Sequence, residues 1–173
     1  MKKNTRLLFL IASLAALALL VVMIVAVKSC VEQNALHDFN RTTVLPIPLG
    51  TAESEFRDLS DYEREDGFGC YRLDGDGISY TVSGYPDAIN AYHTTSVRIT
   101  DPFYTVYGVR VGEAYPADQL GVMKKFGFTP SDGNATTRKF EQGKLSVTFH
   151  LDGITVVGIT AALRTTNITE VQF

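Results

Sequence analysis

The groups in this chain whose chemistry could amount to a site are three histidines, two cysteines and a run of carboxylates. His37, His93 and His150 stand 56 and 57 residues apart. One falls in a linker, one in a loop and one on the polar face of a strand. Nothing in their spacing gathers them into a metal site or gives any of them a partner as a general base. Asp74-Gly75-Asp76-Gly77 has the look of a calcium loop. An EF-hand-like loop starting at Asp74 needs oxygen ligands at its fifth and twelfth positions, which are Ile78 and Tyr85 here. A tight turn rich in Asp and Gly explains the tetrad without a metal. Ser83-Gly84 and Ser131-Asp132-Gly133 lack the G-x-S-x-G setting of a hydrolase nucleophile. No phosphate loop or dinucleotide fingerprint occurs, so no cofactor and no enzymatic activity are expected.

The chain opens instead with a physical constraint. Residues 7–27 are apolar but for Ser13, and none is charged. As a helix they span about 31 Å, against a bilayer hydrocarbon core of about 30 Å. The reading is an uncleaved transmembrane signal anchor. A cleaved signal peptide is the competing one, but its apolar core is shorter, and Lys28 stands where a small-residue cleavage motif would lie. Lys2, Lys3 and Arg6 precede the run, which keeps residues 1–6 in the cytoplasm and sends the remainder outside. The lipid bilayer is therefore an expected partner through residues 7–27, and the location is a single-pass protein of the cell membrane.

Cysteine chemistry stays open at this stage. Val27-Lys28-Ser29-Cys30 matches a bacterial lipobox in part, with lysine as the departure. Cys30 can be lipidated, free, or bridged to Cys70, the other cysteine of the chain. From Val31 to Phe173, 12 basic residues face 19 acidic ones, a net charge of −7. That balance argues against nucleic acid and against docking on anionic lipid heads. Nine carboxylates and three arginines lie within residues 53–76, which read as a solvated helix face and turn. Glycosylation acceptor patterns at Asn40, Asn134 and Asn167 are taken as chance.

After a polar stalk over residues 28–43, the pattern occurs twice, over 44–101 and 102–163, with 164–173 as a tail. Ile47-Pro48-Leu49-Gly50 matches Val109-Arg110-Val111-Gly112 as a short strand ending in glycine. A helix is expected next in each half. Thr51 is the N-cap of the first, with Ala52, Phe56 and Leu59 on one face. The second carries Pro116 early and Ala117, Leu120, Met123 and Phe126 along one side. Gly67-Phe68 and Gly127-Phe128 read as matching C-terminal caps. Ile78-Ser79-Tyr80-Thr81-Val82-Ser83 parallels Leu145-Ser146-Val147-Thr148-Phe149-His150, both alternating apolar and polar. Val97-Arg98-Ile99-Thr100 is matched to Val157-Gly158-Ile159-Thr160. Each unit thus reads strand, helix, then three antiparallel strands, and the fold class is α+β with helices on one face of antiparallel sheet.

Gly112 before the second helix, Gly127 after it and the hairpin of strands 145–151 and 154–159 carry a resemblance. In order of elements and in tandem repetition, residues 44–163 resemble domains of the β-lactamase-inhibitor-protein and SmpA/BamE type. The resemblance implies a small bacterial envelope domain. It does not extend to inhibition of an enzyme, since tryptophans and paired cysteines are missing from the domain.

The two units differ in one loop. Residues 84–95 separate the last strands of the first unit, where the second has only Asp152-Gly153. The insertion carries Tyr85, Asp87, Tyr92 and His93, and these are the expected contact residues for an envelope protein partner. The function expected is a membrane-tethered, non-catalytic binding or assembly module. An envelope hydrolase whose site forms only in the fold, and a structural spacer, are the alternatives.

Overall fold

A computed structural model describes residues 2–84 and 92–164, and within the first helix it describes side chains outside residues 2–13, 15, 25 and 28–33. The protein is α+β. Helix α1 (Lys2–Thr42) leads into an eight-stranded antiparallel sheet of β1 (Glu63–Gly67), β2 (Cys70–Gly75), β3 (Ile78–Gly84), β4 (Tyr92–Ile99), β7 (Thr129–Pro130), β8 (Thr137–Gln142), β9 (Leu145–Asp152) and β10 (Thr155–Leu163). The strands lie in the order β1-β2-β3-β4-β10-β9-β8-β7. A small ribbon, β5 (Thr105–Val106) with β6 (Val109–Arg110), and helix α2 (Gln119–Lys125) connect the two halves.

Alternation builds the sheet. Ile78, Tyr80 and Val82 of β3 and Leu145, Val147, Phe149 and Leu151 of β9 are buried, and the residues between them point the other way. The hairpins β2–β3 and β8–β9 share one register, because Cys70 faces Ser83 and, 67 residues later for both partners, Thr137 faces His150. The halves meet at β4 and β10, where Ile99 faces Ile159. The strands 97–100 and 157–160 therefore do not occupy equivalent places. Ile99 faces Ile78, and the residue so placed in the second half is Leu163, opposite Leu145. Register is set by pairing, and β10 runs longer than the expected 154–159 and carries a bulge between Val156 and Gly158.

The helix after the second strand match forms, though shorter than expected. Phe128 N–H bonds Met123 C=O at 3.0 Å and Gly127 N–H bonds Lys124 C=O at 3.0 Å, with Gly127 at φ 82°. These are the two bonds of a Schellman cap, and Phe128 folds into the core behind it. Its supposed counterpart does not form. Residues 51–59 make only a single 3-10 turn over Glu53–Glu55, and Phe56 already has extended backbone. So short a segment is marginal as a helix, and Glu53, Glu55 and Asp58 crowd like charges into it. Gly67-Phe68 belongs instead to the β1–β2 turn, with Phe68 wholly exposed. Residues 47–50 are not a strand. Each half supplies four strands to the sheet, but the expected leading strands are not among them: 47–50 is no strand, and Val109–Arg110 pairs in the small ribbon.

The stalk is corrected as well. Helix α1 runs without a break through the expected anchor and to Thr42. Its last turns belong to the domain, since Ala35 and Phe39, one turn apart, are buried in the core, and Phe39 meets the ring of Tyr107 at 6.3 Å. Asn40 fixes the chain that follows. Its amide donates to Leu49 C=O at 2.8 Å and accepts from Leu49 N–H at 2.9 Å. Further up the helix, Leu14, Leu17, Leu19, Leu20, Val21, Val22, Met23, Ile24 and Val27 are all exposed. Among the described residues no helix is long and apolar enough to cross a membrane; nine of the 21 side chains of the expected anchor lie outside them.

Candidate functional site: the open face of the sheet

α1 and α2 bury Phe39 and Met123 in the core on one face of the sheet. The other face carries rows of polar side chains. One row crosses six strands as Asp74, Ser79, Arg98, Thr160, Thr148 and Lys139, each facing the next. The neighbouring row runs Arg72, Thr81, Ser96, Ala162, Ser146 and Glu141. At the usual strand spacing each row is about 24 Å wide. Between their ends the rows are made of half-buried Ser, Thr and Ala, apart from the exposed Arg98, and the other charges sit at the two sides.

The flanking charges are largely committed. Arg72 binds Asp74 at 2.7 Å. Glu141 holds Lys139 at 3.0 Å and Arg164 at 2.6 Å, and the Lys139 hydrogen bond, ahead of Arg164, holds its carboxyl below the usual carboxylate range despite some burial. Arg98 is different. It is exposed at the centre of its row, and no carboxylate pairs with it among the described residues. His150 Nε2 lies 2.9 Å from Thr160 Oγ1, and burial, with the nearby charge of Arg98 second, holds its imidazole below the ordinary value. A hollow of about 310 Å³ lies between the two arginines, lined by Arg72, Asp74, Ser79, Arg98 and Thr100.

The residues singled out from sequence do not converge. Tyr85 and Asp87 lie outside the described residues. Tyr92 and His93 are on strand β4, not on a loop tip, facing Gly84 and Ser83. The Tyr92 ring packs at 6.1 Å from Tyr71, and His93 also bridges to Ala52. His93 stands at the start of β4, whereas His150 faces Gly158 beyond the far end of the β4–β10 pairing, so the sheet holds them apart. His37 is exposed on α1. Cys70 is a free, buried thiol, and the side chain of Cys30 lies outside the described residues.

Two other hollows were candidates for a converging site. One of about 700 Å³ is bordered by Ile47, Pro48, Glu55, Phe56 and Arg57. Another of about 310 Å³ lies between α2 and β7–β8, bordered by Tyr115, Leu120, Pro130, Arg138 and Phe140. Neither has a histidine on its wall. Among the described residues no group of three or more His, Cys, Asp or Glu side chains could hold a metal. Arg98 and the hydroxyl row on β9 and β10 were not singled out from sequence. The signal was there, in the polar positions of the alternating strands.

No family model and no curated protein matches the chain. Among solved structures, the chain is similar to an extracellular protein containing an SCP domain from Bacillus anthracis strain Ames, at 11% identity and a TM-score of 0.48. The similarity covers 72% of this chain and 46% of that one, so the chain spans less than half the length of that protein.

Proposed function

We propose that the protein is a membrane-tethered, extracytoplasmic binding module, without catalysis of its own, that docks an envelope protein on the open face of its sheet. The observation that carries this is the expanse of Ser, Thr and Ala side chains across β3, β4, β10 and β9, left uncovered while both helices pack elsewhere. Small side chains let another surface approach the sheet closely, and their hydroxyls both donate and accept. The paired charges at the sides, with Arg98 between them, give register to a docked surface. The shared register of β2–β3 and β8–β9 supports a duplicated unit, so that two similar hairpins build one continuous surface.

The tether rests on residues 7–27. Their length matches a bilayer, the flanking charges set the topology, and the described apolar side chains from Leu14 to Val27 find no protein to pack on. Protease added to intact spheroplasts is expected to digest the domain, and protection would refute the topology.

Docking is tested by photo-crosslinking residues placed singly at Thr81, Ser146 and Lys125 in the full chain within intact membranes. Thr81 and Ser146 lie on the open face, and Lys125 is exposed on α2. A discrete adduct from the first two and none from Lys125 is expected. An adduct from Lys125 alone, or none from the sheet, refutes the open face as the docking surface.

A further inference from the structure

We propose that the hollow between Arg72 and Arg98 is a carboxylate-binding site, in which Arg98 takes a single acidic side chain of the docked partner. The inference rests on the docking reading above and adds the chemistry that the centre of the surface recognises.

Charge balance argues first. The hollow is lined by Arg72, Asp74 and Arg98, a net charge of +1. Asp74 is held by Arg72 at 2.7 Å, which leaves the guanidinium of Arg98 without a counter-charge among the described residues. One carboxylate neutralises the site. A phosphate dianion would overshoot that balance and place its second charge beside Asp74.

Geometry argues next. Arg98 is flanked across the strands by Ser79 and Thr160, and Thr100 lines the same hollow. A guanidinium offers parallel N–H donors to the two oxygens of a carboxylate, and the neighbouring hydroxyls can donate to lone pairs left over. Arg98 lies on the third of the six strands of its row, with a paired strand on either side, so a partner covering the face would exclude water from it. A charge-assisted pair is stronger there than at an exposed site.

The hollow is fixed by turns as well as by strands. Gly77, at φ 67°, closes the β2–β3 turn, and a Cβ there would come within 2.5 Å of Asp101 Cβ. Thr100 N–H and Asp101 N–H both donate to Gly77 C=O, at 2.8 and 3.0 Å. The far wall is therefore locked to the end of β4, which presents Arg98 and Thr100 at constant spacing.

The test uses the full chain in detergent micelles, titrated with sodium acetate at constant ionic strength against sodium chloride and against inorganic phosphate. The side-chain Nε–H resonance of Arg98 and the ring resonances of His150 are followed by NMR. Acetate is expected to shift Arg98 with a saturable curve and to raise the pH at which His150 titrates, because its cationic neighbour has been neutralised. Arg98→Gln is expected to weaken the response at least tenfold, and Arg138→Gln, on the other side of the sheet, to leave it unchanged. A response that is linear in acetate, or that persists in Arg98→Gln, overturns the site. Tighter binding of phosphate than of acetate overturns the carboxylate assignment. Failure here with an intact crosslink from Ser146 removes the acid site but not the docking surface, whereas loss of the crosslink with saturable acetate binding removes the docking surface.

Discussion

Ile47 N–H donates to the hydroxyl oxygen of Tyr80 at 3.3 Å, in the buried centre of the domain. The bond joins the segment that follows helix α1 to the middle of β3. Burial is the main reason the Tyr80 hydroxyl is held well above its ordinary pKa, so it stays neutral and can serve as an acceptor. Tyr80→Phe keeps the ring and leaves the Ile47 N–H without this partner. The expected cost is about 1–3 kcal/mol, read as a lowered urea midpoint of the full chain in mild detergent. An unchanged midpoint would mean that the bond does not fasten this segment.

The two Gly-Phe dipeptides give a sharper comparison. Phe128 is buried behind a Schellman cap and Phe68 is wholly exposed at a hairpin turn. Phe128→Ala should cost about 3–5 kcal/mol, and Phe68→Ala should stay within about 0.5 kcal/mol of wild type. Gly127→Ala should also destabilise, because φ is 82° there and a Cβ would meet Gln142 Nε2 at 2.8 Å. Comparable losses from both phenylalanines would contradict the asymmetry.

That comparison shows what the sequence could and could not reveal. A dipeptide names a cap only if a helix precedes it, and residues 51–59 are too short and too acidic to hold one. Strands β3 and β9 were legible because each has one wet and one dry face. Strand β1 was not, since all five of its residues are exposed at the sheet edge and Glu63, Arg64, Glu65 and Asp66 show no apolar period. Charge at an edge blocks further pairing, which is why a strand can look like a loop. The last turns of α1 bury only Ala35 and Phe39 fully, too few positions to reveal a period. Arg98 was visible as a residue but not as a site, because its lack of a counter-charge depends on which strands lie beside it.

The two shifted groups on the open face predict stability losses in separate pH windows. The folded pKa of His150 is lowered, chiefly by burial and then by Arg98, so the unfolded chain takes up the proton first. Stability should therefore fall as pH drops below about 6.5, the ordinary histidine value, and level off below the folded pKa. Glu141 also has a lowered pKa, from Lys139 first. Its contribution is present above about 4.3, the ordinary glutamate value, and is lost as pH falls through the lower folded value. Urea midpoints measured from pH 7.5 to 3.5 should show the upper window vanish in His150→Gln and the lower one in Glu141→Gln. A midpoint profile that His150→Gln leaves unaltered would rule out the histidine.

Tyr92 has a packing role that the loop reading did not foresee. Its ring lies 6.1 Å from that of Tyr71, whose hydroxyl donates to Glu53 at 2.8 Å and whose face carries the Arg64 guanidinium at 3.7 Å. Arg64 also meets Glu53 at 3.5 Å, so strand β1, the 3-10 turn and β4 are tied together through Tyr71. Truncating a half-buried ring in such a cluster should cost about 2 kcal/mol, less than a fully buried one. Tyr92→Ala is therefore expected to lower the melting temperature by several degrees. A double-mutant cycle between Arg64→Met and Tyr71→Leu should return a coupling of about 0.5–1 kcal/mol for the cation over the ring. Both results would make Tyr92 unsuitable for a binding test, because loss of a partner in Tyr92→Ala would follow from loosened structure. If Tyr92→Ala melts like wild type, its ring is not part of the core and is free to act as a contact residue.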